Sequence, residues 1–325
     1  MIMQLVKAEI LWTRKCPLSC SYCNMATGLP NSRSLRFWKR GLDQLKQLGC
    51  PFIAIYGAEP LADFEKLPEF VHHSSNIGLD MTVITILHDE EKLRILYENG
   101  LRSLTTSYDI IPLDKWSKIK SDRAIKLLEA FRSFGPVDNV AVVVTLTRQN
   151  YKYLYDTTKQ MTDQGIWLFF DIIHPDRGQI GSKAKGCNAD LLFREEDIPS
   201  LISELSRILK HRDELMVHAS KSFFESIVQD PELAVYYLWN CADYDCFPSW
   251  VTVNCDGLVY PCDDFQPRVL GIPFDKLAEK WSKLPELWKR KTQRNCPGCF
   301  WNTHLDAHHI KQGREDITGY VHRKE

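Results

Sequence analysis

Three cysteines fall within eight residues near the start of the chain, in "WTRKCPLSCSYCNM". Cys16, Cys20 and Cys23 form a C-x3-C-x2-C loop close behind the apolar run "AEILWT". Iron–sulfur clusters are held by cysteine thiolates, four for a closed cubane. Three thiolates leave one iron open, and an open coordination position is the mark of a catalytic rather than a structural metal. The loop alone also allows a zinc ion that borrows a fourth ligand from elsewhere.

A second group lies downstream. Cys246, Gly257 and Cys262 follow C-x10-G-x4-C, and Cys296 and Cys299 follow as C-x2-C. The stretch "SWVTVNCDGLVYPC" places two short β runs on either side of Asp256-Gly257, a strong hairpin signal. Such a hairpin folds the chain back, so that Cys246 and Cys262 approach each other, and the Cys296–Cys299 loop supplies two more thiolates. Cys241 is the alternative to Cys246, with fifteen residues before Gly257 instead of ten. Cys246 is preferred because "CFPSW" leads straight into the first hairpin strand. A four-cysteine zinc ribbon is the competing reading. Cys255 sits at the turn and is read as incidental, Cys50 and Cys187 as small buried hydrophobes. His304, His308 and His309 lack the glutamate of a zincin motif and are expected to be surface or capping residues.

The elements that must position these groups alternate. Six apolar runs, at 8–13, 52–57, 81–87, 101–109, 139–147 and 166–174, are each followed by a helical pattern. Their near-continuous apolar character is that of strands covered on both faces. Repeated strand–helix units imply a parallel sheet with right-handed crossovers, whose function gathers at the C-terminal strand ends. The cysteine loop lies at that end of the first strand. After residue 178 the chain turns polar, then helical near 195–211 and 220–239, then reaches the hairpin and a basic helix near 275–294.

The 325 residues are enough for one large domain with a smaller module. Eleven cysteines in an odd, clustered arrangement favour metal ligation over disulfides. A net charge of −1 argues against broad binding of nucleic acid or anionic membrane. No apolar run reaches the length of a membrane span, and no signal peptide is evident. A cytoplasmic protein is expected.

The cysteine spacing, Tyr22 before the third cysteine and the place after a first strand together resemble the radical S-adenosylmethionine (radical SAM) superfamily. Gly57-Ala58-Glu59-Pro60 is similar to that family's "GGEP" motif, with Ala58 replacing the second glycine. The resemblance covers about residues 8–175. It implies an α/β fold, a partial (β/α)6 TIM barrel, and a 4Fe–4S cluster on Cys16, Cys20 and Cys23 that binds SAM. It further implies SAM contacts from the backbone of Gly57–Pro60, ribose contacts from Ser107 and Asp109 in "TSYD", and a carboxylate contact from Arg148 in "TLTRQN". The downstream cysteines resemble the Twitch module, the shortened SPASM domain, which implies an auxiliary 4Fe–4S cluster on Cys246, Cys262, Cys296 and Cys299 in a small α+β domain with a β-hairpin. The domain expectation is a barrel over 1–190, a helical linker over 191–240 and the auxiliary module over 241–325.

The implied chemistry is reductive cleavage of SAM and abstraction of a substrate hydrogen by the 5′-deoxyadenosyl radical, with a flavodoxin or ferredoxin as reductant. In plan the chain resembles the 2-deoxy-scyllo-inosamine dehydrogenase type. Cys16 leaves no room for an N-terminal peptide-binding domain, and too few cysteines remain for a full SPASM domain. The expectation is therefore oxidation of a small molecule, with the auxiliary cluster as electron acceptor or relay. A peptide-modifying maturase, a redox-neutral cofactor-forming enzyme and a two-cluster electron-transfer protein are the alternatives. Asp171, His174 and Asp176, near the barrel mouth, are candidates for substrate contact or proton transfer.

Overall fold

The computed structural model describes residues 5–175, 189–236, 238, 249–262, 271–295 and 302–314. Six strands, β1 (Lys7–Leu11), β2 (Phe52–Tyr56), β3 (Asp80–Ile84), β4 (Ser103–Ser107), β5 (Asn139–Leu146) and β6 (Trp167–Ile172), run parallel in chain order. Between them lie α1 (Leu35–Gln47), α2 (Leu67–Asn76), α3 (Glu90–Glu98), α4 (Lys115–Ser133) and α5 (Leu154–Asp163). This is the strand–helix alternation of a partial barrel of the radical SAM type.

The helices form because their apolar residues recur at helical spacing behind good caps. In α1, Trp38, Leu42 and Leu45 are buried on one face, and the Ser34 hydroxyl accepts the Phe37 amide at its start. Asp114 caps α4 through the amides of Trp116 and Ser117 in a full capping box. The outward strand residues, among them Ile53, Ile55, Val83, Leu104, Val142 and Phe170, pack under these helices. The inward residues differ from the expected two-sided apolar cover. Lys7, Glu9, Thr82, Ser103, Thr105, Ser107, Asn139 and Asp171 line a cavity. The strands look apolar in sequence because polar positions of period two are interspersed with β-branched and aromatic ones.

After β6 the chain forms α6 (Ile198–Lys210), α7 (Lys221–Gln229) and α8 (Glu232–Tyr236). The segment before α7 bridges β6: Leu168 N donates to Met216 O and His218 N to Leu168 O, each at 2.8 Å. Then come β7 (Trp250–Val253), β8 (Leu258–Tyr260), β9 (Ile272–Pro273), α9 (Leu277–Lys280), α10 (Leu284–Asn295) and α11 (Asn302–Lys311). The expected hairpin is present as the antiparallel pair β7–β8. It is joined to the barrel, since β7 lies parallel to β1, with Lys7 opposite Trp250 and Glu9 opposite Thr252. The nine strands among the described residues make one sheet, ordered β6-β5-β4-β3-β2-β1-β7-β8-β9.

Two contacts lock the later elements onto the barrel. The Phe274 ring lies 5.8 Å from Trp38, in an aromatic group with Trp12 and Phe70. On the other side, Asp306 of α11 accepts from the Ser220 hydroxyl and His309 bonds Ser226 at 3.1 Å. His309 is therefore buried between α11 and α7, not a surface or capping residue as expected; the Ser226 hydroxyl bonds its Nε2 there.

Gly41 makes the Phe274 contact possible, because a Cβ there would lie 2.1 Å from the ring. Gly41→Ala is expected to lower stability by about 1–3 kcal/mol, the usual cost of overpacking. Urea denaturation checks this, and an unchanged midpoint would mean that α1 and Phe274 are not held together tightly.

Candidate active site

The cysteine loop is clasped at its base. Arg14 N donates to Leu29 O at 2.8 Å and Gly28 N donates back to Arg14 O at 2.9 Å. The same strand end is tied sideways, for Thr13 O accepts from Ala58 N at 3.0 Å. Gly57 is required at this crossing: a Cβ would stand 2.6 Å from the Thr13 carbonyl oxygen. The second strand thus meets the loop backbone to backbone, and Gly57 and Ala58 line the cavity beneath it.

Inside the loop, Cys23 N donates to Cys20 O at 3.1 Å, and Leu18 N points at Cys16 Sγ at 3.4 Å. Two carboxylates pin the loop to α4. Asp114, which caps that helix, also accepts from Ser21 N; burial opposes its ionisation, yet these amides hold it below the usual carboxylate range. Asp109 accepts from the Tyr22 hydroxyl at 2.9 Å and pairs with the Lys120 ammonium at 2.7 Å. Lys120 also reaches the Tyr22 oxygen, so phenol, carboxylate and ammonium form a closed, nearly dry triad. Burial first, then the Asp109 charge, pushes the Tyr22 phenol well above its ordinary range, which keeps it neutral and able to donate.

The three thiols face one cavity. Burial foremost pushes Cys16 up to about 11 and Cys20 up to about 12. Thiolates at this site therefore call for a compensating positive charge, which iron supplies. Among the described residues no three His, Cys, Asp or Glu side chains converge on one ion position. A cluster takes each thiolate on a separate iron and so does not need the three to converge on one ion.

The cavity holds about 430 Å³ and runs the height of the barrel. Its upper end carries the thiols, Tyr22, Gly57, Ala58 and Ser107; its floor carries Lys7, Glu9, Asp171, His218 and Trp250. Cys262, after β8, also lines it, opposite Trp250 in the β7–β8 register, which brings one downstream cysteine to the same cavity. Cys241, Cys246, Cys296, Cys299, Cys187 and Asp176 lie outside the described residues. Cys255 is buried, with the Arg14 guanidinium beside it. Cys50 is buried and donates to Phe52 O.

The other expected residues divide. Glu59 is fully buried and accepts from Leu61 N, Thr85 Oγ1 and Ile86 N, so its side chain ties the end of β2 to that of β3. Pro60 opens the short turn that follows. Asp109 serves the triad. Arg148 is engaged outside the cavity lining, with Glu196 at 2.6 Å and Asp197 at 3.1 Å. Asp171 lines the cavity; His174 is buried beside it in the chain without lining it. Lys7, Glu9, Lys120 and His218 were missed. The first two had a signal: charges two residues apart in an otherwise apolar strand share one face.

Residues 10–161 match the family model described as the Radical SAM superfamily. Two curated relatives are named PqqA peptide cyclase. One, from Bradyrhizobium diazoefficiens, is 29% identical over 159 residues, covering 46% of this chain and 42% of the relative. The other, from Gluconobacter oxydans, is 33% identical over 101 residues, covering 30% of this chain and 28% of the relative. The chain thus spans less than half the length of the curated relatives it matches. Among solved structures, Streptococcus suis SuiB with S-adenosylmethionine superposes with a TM-score of 0.63 at 18% identity, over 99% of this chain and 77% of that one. SuiB bound to its precursor peptide SuiA gives 0.62 at 17% identity, covering 97% and 76%. The structure of anSMEcpe with AdoMet and a peptide gives 0.58 at 16% identity, covering 97% and 96%. These structural likenesses concern the fold.

The expected preference for a small-molecule substrate over a peptide is overturned by these relatives, which are named for a peptide substrate. The reasons offered for it, a short N-terminal stretch and a cysteine count, bear on accessory domains and not on what the barrel accepts. For the membrane, no helix among the described residues is long and apolar enough to cross one.

The triad yields a stability prediction. Lys120→Met leaves Asp109 charged and buried, and is expected to cost about 3–5 kcal/mol. Adding Asp109→Leu should restore most of it. Guanidinium unfolding of the two variants checks both values; a single variant as stable as the parent removes the triad as the anchor of the loop.

Proposed function

We propose that the chain is a radical SAM enzyme, on the match of residues 10–161 to that family's model, and that it modifies a peptide, whose side chain enters the barrel lumen beneath the cysteine loop. The observation that carries this reading is the three-thiol loop over a side-chain-lined cavity that carries charged and hydroxyl groups in its wall. The named peptide cyclases support the substrate class.

Cys16, Cys20 and Cys23 would hold the 4Fe–4S cluster that binds SAM. When bound, the cluster supplies the electron that cleaves SAM to methionine and the 5′-deoxyadenosyl radical. This chain's own residues then do four things. The Tyr22–Asp109–Lys120 triad and Asp114 hold the loop still, so that the reacting groups keep one geometry. The backbone at Gly57 and Ala58 forms a wall free of bulky side chains against which a small polar cofactor fits closely. Ser107 offers a hydroxyl at the C-terminal end of β4, at the level of the loop. The enclosing sheet keeps bulk water from the radical's path.

Cys262 is proposed as one ligand of a second, Twitch-type cluster, completed by Cys296, Cys299 and either Cys246 or Cys241. Its place in the cavity lining supports electron exchange between the two centres. A flavodoxin- or ferredoxin-type reductant is proposed as the electron donor.

Anaerobic reconstitution tests both proposals. Reduced protein with SAM should form 5′-deoxyadenosine, and Cys20→Ala should abolish it; no product from the parent under reducing conditions sinks the assignment. Iron and sulfide should each be about eight per chain, the sum of two cubanes. Cys262→Ala should lower both toward about four, and an unchanged content would remove Cys262 as a ligand.

A further inference from the structure

The lumen floor holds charge that the proposed chemistry does not use. β1 and β6 face each other there: the Lys7 Nζ lies 5.7 Å from the centroids of both the Phe169 and the Trp250 rings. One inward position further along each strand stand Glu9 and Asp171, both in the cavity wall. Lys7 is held by Glu9 at 2.7 Å and by the two rings. Asp171 is different. Among the described residues, its Oδ1 is buried with no hydrogen-bond partner.

A buried carboxylate oxygen without a donor costs free energy in the folded protein. Burial foremost and then the Glu9 charge push Asp171 up to about 7, with Lys7 drawing it back. When Asp171 is ionised, it and Glu9 face the single ammonium of Lys7 across this part of the floor. The other titratable or charged groups in the lining are Tyr56 on β2, His218 beyond β6, Cys262, which falls opposite Trp250 in the β7–β8 register, and, at the upper end, Tyr22, Lys120 and the Cys16, Cys20 and Cys23 thiols. Aromatic faces from Phe52, Phe169 and Trp250 complete the lower walls, and two of them already take one cation.

We propose that the lumen floor is a recognition pocket for a primary ammonium group, with Asp171 as its counter-ion and the aromatic walls around its alkyl stem. An arriving ammonium pairs with the Asp171 carboxylate where it lines the cavity and restores neutrality in one step. That the ammonium belongs to a lysine side chain of a peptide rests on the function proposed above; the pocket itself does not. A neutral carbonyl ligand is the opposite case, since it would need Asp171 protonated as a donor.

The cluster-loaded full chain is titrated calorimetrically with n-hexylammonium and with n-hexanol at constant ionic strength. Measurements are made at about pH 8 and about pH 6, one unit either side of the Asp171 midpoint of about 7. The ammonium should bind about tenfold more tightly than the alcohol at the higher pH, the size expected of one charge-assisted hydrogen bond. The preference should vanish at the lower pH and in Asp171→Asn at both. His218→Asn should keep the pH dependence, which separates Asp171 from an imidazole titrating in the same range. Equal affinities at the higher pH, a preference that grows at the lower pH, or full selectivity in Asp171→Asn overturns the pocket. If Asp171→Asn does not fold, the parent's pH comparison decides alone. Displacement of hexylammonium by acetyl-Gly-Lys-Gly-amide, but not by its norleucine counterpart, supports the peptide source. Selective hexylammonium binding without displacement leaves the pocket standing and counts against the peptide instead.

Discussion

Strand β1 is hydrogen-bonded along both of its edges, to β2 on one side and to β7 on the other, and the rest of the molecule depends on that. A parallel strand with both edges satisfied has no freedom to slip, because a one-residue shift would turn Lys7 and Glu9 outward into apolar packing. The register therefore determines two things together. It sets where the inward charges of the floor sit, and it sets where the chain leaves the sheet at Trp12 to form the cysteine loop. The hairpin that carries Cys262 hangs on the same strand, so both cysteine regions are referred to one backbone.

The loop itself has little apolar surface to bury and is held by polar means. Backbone bonds clasp its base, and Asp109 and Asp114 fasten its middle to the start of α4. Polar anchors of this kind are directional, so they specify a position as well as an energy. Their cost is a nearly dry ion pair, tolerable because Tyr22, Lys120 and Asp109 satisfy one another. The arrangement suits a loop whose thiols must present a bound group at one fixed height above the lumen.

Polarity increases again below. Most barrels of this size fill their interior with branched apolar side chains, whereas here threonines, serines, an asparagine and charges share the inward positions with apolar residues such as Phe52, Ile84, Val143 and Phe169. Such a lining keeps the lumen open. Hydroxyls and charges left to meet only one another would be poorly satisfied, so the interior does not collapse, and a polar guest gains what the walls lack.

Much of this was legible in the sequence. The six strand–helix units, the hairpin at Asp256-Gly257 and the three-cysteine loop follow from local signals: spacing of apolar residues, turn chemistry and cysteine spacing, each contained in a few consecutive residues. Roles that depend on which residues meet across the sheet were not legible. The side chain of Glu59, within the Gly57–Pro60 motif, also ties β2 to β3, and Arg148 is paired with Glu196 and Asp197, nearly fifty residues away. Lys120 lies in the middle of a helix with nothing local to mark it, yet it completes the triad with Tyr22, 98 positions earlier. The sequence alone determined the chemistry of the loop and the succession of elements, because both are encoded over short spans. Only the tertiary structure decided that Lys7, Glu9 and Asp171 share one floor, because facing across a barrel depends on strand register and closure, to which no single segment holds the key.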